Sequence, residues 1–184
     1  MLPVGKILST YKLNLLISLT LSIVIIALRV EKNPVNIGLI VLGALIGSFV
    51  LKLEYFMYAY WNEPNASFSE SFKEFIKAKN YQGLIAFVEV NKYDLHQRIL
   101  HSVLFQVLLA FTALYLVTSS GIFGAALVLS TLVQSFYEMY TEHEDKHTST
   151  NWFWILKQTP SKKFQIGYVF AMGLFLIYIL TLVR

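Results

Sequence analysis

Glu54, His101 and Glu138 are the residues of this sequence best equipped to do chemistry in an apolar setting. Two carboxylates and an imidazole make a ligand set for one divalent metal such as zinc or manganese. The same three groups can serve as acid and base. Lys52 and Gln134 go with them, because Lys52 lies two residues before Glu54 and Gln134 lies one helical turn before Glu138 on the same face. Two blander readings compete: Lys52 snorkels to the headgroups while the carboxylates are ion-paired or wet at the interface, or the charges line a proton or ion path. A weaker second candidate is "HEDKH", residues 143–147, which satisfies His-Glu-x-x-His. In a helix His143 and His147 would share a face and bind zinc while Glu144 activated a water. Its flanks, "YTE" and "TST", are polar, so a solvated charge run that includes Glu142 is the preferred reading there. The chain has no cysteine, which excludes disulfides and thiolate metal sites.

The elements that must position these groups are set by hydropathy. Of 184 residues 56% are hydrophobic and 14% charged, and the mean hydropathy is +0.58. That composition belongs to an all-α, polytopic integral membrane protein, one bundle domain over residues 1–184. Five segments approach the length of about 20 residues that a helix needs to cross a bilayer, at 12–29, 35–60, 97–119, 121–141 and 165–183. Pro34 marks the turn between the first two, and "SSG" before the fourth forces a tight antiparallel hairpin with the third. At about 1.5 Å per residue, Lys52, Glu54, His101, Gln134 and Glu138 then fall in one layer near one face of the membrane. Gln106 lies deeper and reads as a hydrogen-bonding link across the hairpin.

Lys and Arg fix the orientation. Lys52 aside, one face carries 11 basic residues and the other 3, so the N-terminus and both long loops are expected in the cytoplasm, with the chain in the plasma (inner) membrane. Within the first long loop, "FSESFKEFIKAKN" sets Phe68, Phe72, Phe75 and Ile76 at helical spacing among charges. This predicts an amphipathic interfacial helix over residues 66–80 that covers the bundle's cytoplasmic end, with a lipid-headgroup gate as the alternative. In the second, Trp152, Phe153 and Trp154 followed by Lys157, Lys162 and Lys163 have the dress of an inner-leaflet anchor. Membrane lipids and a membrane-protein partner are the expected associates, and no nucleic acid is expected.

Three stretches carry a resemblance: "LKLEY" at 51–55, "HQRILHS" at 96–102 and "QSFYE" at 134–138. With the glycine-marked "TSSGIFGAALVLS" and "NWF", they are similar to motifs of the LexA-binding, inner-membrane metal-dependent hydrolases over residues 40–155. The resemblance implies a membrane-bound hydrolase, perched at the inner leaflet, with Glu54, His101 and Glu138 as ligands of one divalent metal or as acid and base, and a phosphorylated lipid as the substrate suggested by location. It also puts Lys52, Tyr55 and Gln134 where the family has Asp, His and His. That substitution lets the Lys52 ammonium take the electrostatic place of the cation. The alternatives are a catalytically inactive structural or assembly subunit of a membrane complex, and a small transporter.

Overall fold

A computed structural model describes residues 4–92, 95, 98–119, 121–144, 152–156 and 160–183, with only the backbone of residues 4–10, 143 and 144. Every regular element among them is helical. The long helices are α1 (Val4–Arg29), α2 (Pro34–Val50), α6 (Val103–Thr118), α7 (Ile122–Glu144) and α8 (Lys162–Thr181). Between α2 and α6 run a short helix α3 (Leu53–Met57) that continues into a π-helical turn (Tyr58–Asn62), then α4 (Ser67–Lys77) and α5 (Tyr81–Asn91).

Three helices are long and apolar enough to cross a membrane, over Tyr11–Arg29, Ile122–Glu142 and Lys162–Thr181, and a fourth crossing results when α2 and its bent continuation through Asn62 count as one. Their outward faces carry large apolar side chains, Leu16 and Ile23 on α1, Leu42 and Ile46 on α2, Phe170 and Ile177 on α8, all exposed. Such a girdle suits contact with acyl chains.

Two departures from the expected spans concern the site directly. The apolar stretch through residues 35–60 is not one smooth helix, because the chain breaks at Leu51 and Lys52 and bends by 43°. The segment expected over 97–119 turns helical only at Val103, where the Ser102 side chain caps it by accepting a hydrogen bond from the Phe105 N–H at 3.2 Å. His101 therefore sits on the irregular lead-in to α6 rather than one turn inside it.

The core is organised around α7, which touches α1, α2, α6 and α8. Its closest partner is α2. A Cβ added to Gly43 would meet the Phe123 carbonyl oxygen at 2.6 Å, and one added to Gly47 would meet the Leu127 carbonyl oxygen at 2.3 Å. Glycines four apart thus let the two backbones approach as they do in small-xxx-small pairs. The contact is stitched by α7 hydroxyls, Ser130 Oγ donating to the Ala44 carbonyl at 2.7 Å and Thr131 Oγ1 to the Gly47 carbonyl at 3.1 Å. Around this seam Ile40, Ala113, Ala126, Leu129, Leu132 and Ile179 are fully or almost fully buried.

The amphipathic segment expected over 66–80 is helical as α4, and its apolar face is taken up by the chain itself. Phe68 packs edge-on to Tyr58 and stacks on Phe87, Phe72 meets Phe56, and Phe75 meets Phe87. The residues that follow, 81–91, form a further helix that the charge pattern did not announce. Asn80 caps it, its side chain accepting the Gly83 N–H at 2.9 Å. Together α4 and α5 cover the bend where α2 gives way to α3.

Candidate functional site

The bend at Leu51–Lys52, the lead-in to α6 and the last turns of α7 meet at one end of the bundle. At the break Lys52 is half-buried and Glu54 lies in the interior. Glu54 is fully buried, and its carboxylate holds the non-helical segment in place by accepting the backbone N–H groups of Leu100 and His101, each at 2.9 Å. Backbone donors that precede a helix are otherwise orphaned, so a buried carboxylate is an effective partner for them.

His101 is the centre of the cluster. Its Nδ1 lies 2.5 Å from Glu54 Oε2 and its Nε2 lies 2.8 Å from Glu138 Oε2. The other oxygen of Glu138 accepts from the Lys52 ammonium at 2.7 Å. The continuous line Glu54, His101, Glu138, Lys52 joins three segments far apart in sequence. The expected convergence of Lys52, Glu54, His101 and Glu138 is therefore what the fold contains.

Gln134 is not in that line. Its Nε2 donates to the Asn14 carbonyl of α1 at 2.7 Å, and its buried Oε1 has no partner among the described residues. Gln106 does link the hairpin as its depth implied, donating to the Ser135 carbonyl at 3.1 Å while Tyr168 donates to its Oε1 at 2.8 Å. The side chains of the second candidate, His143 and His147, lie outside the described residues.

Three residues of the site escaped the sequence reading. Glu142 and Trp152, expected in a solvated charge run and a lipid anchor, are both buried, as is Arg98. Arg98 donates from Nη1 and Nη2 to the two oxygens of Glu142, at 3.3 and 2.9 Å, and Trp152 Nε1 donates to Glu142 Oε2 at 2.6 Å. The Trp152 ring lies 5.4 Å from that of His101, and Trp154 Nε1 donates to the Arg98 carbonyl at 3.0 Å. The signal for Glu142 was spacing. It follows Glu138 by four residues and so shares its face of α7.

The donor set does not fit a resident metal. A ring nitrogen can ligate one cation with its own lone pair, and the two nitrogens of an imidazole point away from each other. Glu54 and Glu138 engage different nitrogens and so stand at opposite edges of the ring, with Lys52 already against Glu138. Among the described residues no three His, Asp or Glu side chains are grouped so as to hold a metal ion.

Counting protons gives the arrangement its chemical character. A carboxylate oxygen is an acceptor, so each of the two nitrogen–oxygen contacts needs a proton. Either the imidazole carries both, or it carries one and a carboxyl carries the other. With Lys52 charged, both assignments leave the four groups without net charge, and Arg98 with Glu142 is neutral as well. Burial of charge is costly unless it is paired and hydrogen-bonded, and the Glu54, His101, Glu138 and Lys52 line meets that condition by itself, whereas Arg98 is paired through Nη1 and Nη2 while its buried Nε has no partner among the described residues.

Lys52 and Glu138 are the exposed end of the line. They form part of the wall of a cavity of about 420 Å³ that α1, the end of α5 and α7 complete. His101 is 1% exposed and does not line it. No protein-family model, curated protein or solved structure matches this chain.

Proposed function

We propose that the chain is a metal-independent, non-hydrolytic structural or assembly component of the plasma (inner) membrane, and that Glu54, His101, Glu138 and Lys52 are a self-neutralised lock holding three membrane segments together. In this reading α6 is a short fifth crossing, the N-terminus and both long loops are cytoplasmic, and the α4–α5 pair lies at the cytoplasmic boundary. The 11-to-3 distribution of basic residues supports the orientation. The single observation that carries the lock is that both nitrogens of His101 are engaged by carboxylates from two different helices, while an ammonium occupies the position beside Glu138 that a cation would need.

The resemblance to membrane hydrolases is then one of scaffold, with the metal's charge supplied by Lys52. A second reading, a metal-free hydrolase using Glu138 as the base, is favoured by one feature, the place of Glu138 on the cavity wall.

Elemental analysis of detergent-purified protein separates the metal-dependent reading from the lock. The expected result is no stoichiometric zinc or manganese and a melting temperature unchanged by EDTA. One bound zinc or manganese per chain, lost in His101→Ala, would sink the lock. For the second reading the decisive variant is Glu138→Gln, which must abolish turnover of a phosphorylated lipid if Glu138 is a base. The lock predicts no such turnover in the native protein.

A further inference from the structure

We infer that the cavity beside the lock is a binding site for an anionic amphiphile with a phosphate-ester headgroup, the head held among lysines and an acyl chain laid along α1. The cavity of about 420 Å³ has lysines on its wall from three elements, Lys12 of α1, Lys52 at the α2 break and Lys92 just after α5. That volume is in the range of small-molecule sites.

The ligand's sign follows from what the carboxylates are already doing. Two carboxylates reach the cavity, and both are committed within the protein, Glu138 to Lys52 and His101, Glu142 to Arg98 and Trp152. Lys52 spends one of an ammonium's three donors on Glu138. No carboxylate of the described residues pairs with Lys12. A cation entering here would meet carboxylates whose oxygens are taken, whereas an anion meets the Lys12 ammonium and the remaining donors of Lys52, with Lys92 beside them held by Glu89 at 2.7 Å. This step rests on the proposed lock, because a metal at Glu138 would reverse the local charge.

The amphiphilic character follows from the remaining wall. Leu13 and Leu16 line the cavity and are 40% and 57% exposed, on the same apolar girdle that faces outward along α1. A water-soluble anion gains nothing from leucines, while an acyl chain is matched by them and lets the headgroup reach the lysines without exposing apolar surface to water. Tyr55 and Tyr137, also on the wall, bring phenol groups able to donate to phosphate oxygens.

A phosphate ester can come from a lipid or from solution, so the test has an arm for each. The full chain in mild detergent is titrated with phosphatidylglycerol, phosphatidylcholine and inorganic phosphate while thermal stability and native mass spectra are read. Phosphatidylglycerol is expected to stabilise and to remain bound, with phosphatidylcholine and phosphate having little effect. Lys12→Ala and Lys12→Glu, at an exposed position, are expected to weaken phosphatidylglycerol binding by about tenfold or more, in line with losing one charge-assisted contact. Lys77→Glu, an equal charge change at an exposed position on α4, should leave it unchanged.

Equal effects of the Lys12 and Lys77 variants would mean diffuse attraction to basic surface, and would overturn the site. Full stabilisation by inorganic phosphate alone would overturn the amphiphile. Metal content is read on the same samples. A metal-free protein without lipid selectivity refutes this inference and leaves the lock standing, while a stoichiometric metal refutes the lock whatever the lipids do.

Discussion

Glu54→Ala should lower the stability of the folded protein by about 3–5 kcal/mol, the range for breaking a buried charge pair from one side. The carboxylate is fully buried and has three partners, two backbone N–H groups ahead of α6 and the His101 ring. Removing it orphans both backbone donors and leaves one nitrogen of the buried His101 ring without its partner. For a chain of this length about 2–4 °C of melting temperature corresponds to each kcal/mol, so a fall on the order of 10 °C is expected in a thermal unfolding scan in detergent.

The companion variant His101→Ala should cost a comparable amount, and the double variant clearly less than the sum of the two, because both break the same line. Additive losses would show the two residues to be independent. A Glu54→Ala protein that melts with the native one would remove the lock altogether.

The second large effect belongs to the seam between α2 and α7. Gly47→Leu should destabilise by about 2–3 kcal/mol, the cost of overpacking added to strained interhelical hydrogen bonds. Even the first atom of a side chain there would stand 2.3 Å from the Leu127 carbonyl oxygen and 2.9 Å from Ser130 Cβ, so the helices must move apart. That movement stretches the bonds from Ser130 to Ala44 and from Thr131 to Gly47. Gly38→Leu is the control. It lies on the same helix with nothing within 4 Å of an added Cβ, and leucine's better helix propensity should leave stability equal or slightly raised. If both leucines are tolerated alike, the close approach of α2 and α7 does not contribute to stability.

The two variants also make separable statements about the site. Gly47 is one turn above the bend that delivers Lys52 and Glu54, so forcing α2 from α7 should loosen the Lys52–Glu138 contact without touching any charged group. Native-state hydrogen exchange at Leu100 and His101 reports on this, since their amides are bonded to Glu54. Faster exchange in Gly47→Leu is expected, and unchanged protection would mean that the lock holds its geometry independently of the seam.

Much of this architecture was legible because a membrane limits the options. Apolar runs near 20 residues, punctuated by Pro34 and Gly121, have to be antiparallel helices, and a count along each one places polar side chains by depth. Depth alone was enough to bring Lys52, Glu54, His101 and Glu138 to one layer, since charge within apolar helices must find partners there. It was not enough for Gln134, whose layer is close to that of Glu138 but whose hydrogen bond goes to α1. Nor did hydropathy separate a solvated charge from a sealed one. Arg98, Glu142 and Trp152 have the composition of a wet membrane boundary, and only the packing of the second loop over His101 makes them interior.

Composition and periodicity thus determined the all-helical membrane character, the helical hairpin and the layer in which the ionisable groups gather, because those depend on length and hydrophobicity, which are properties of the chain read one residue at a time. The tertiary structure decided everything that depends on direction. The 43° bend after Val50, the late start of α6 at Val103 and the side of the imidazole that each carboxylate takes are outcomes of long-range packing. A donor set holds a metal when its lone pairs converge and becomes an ion-pair lock when they diverge, and the sequence carries the donors without their directions.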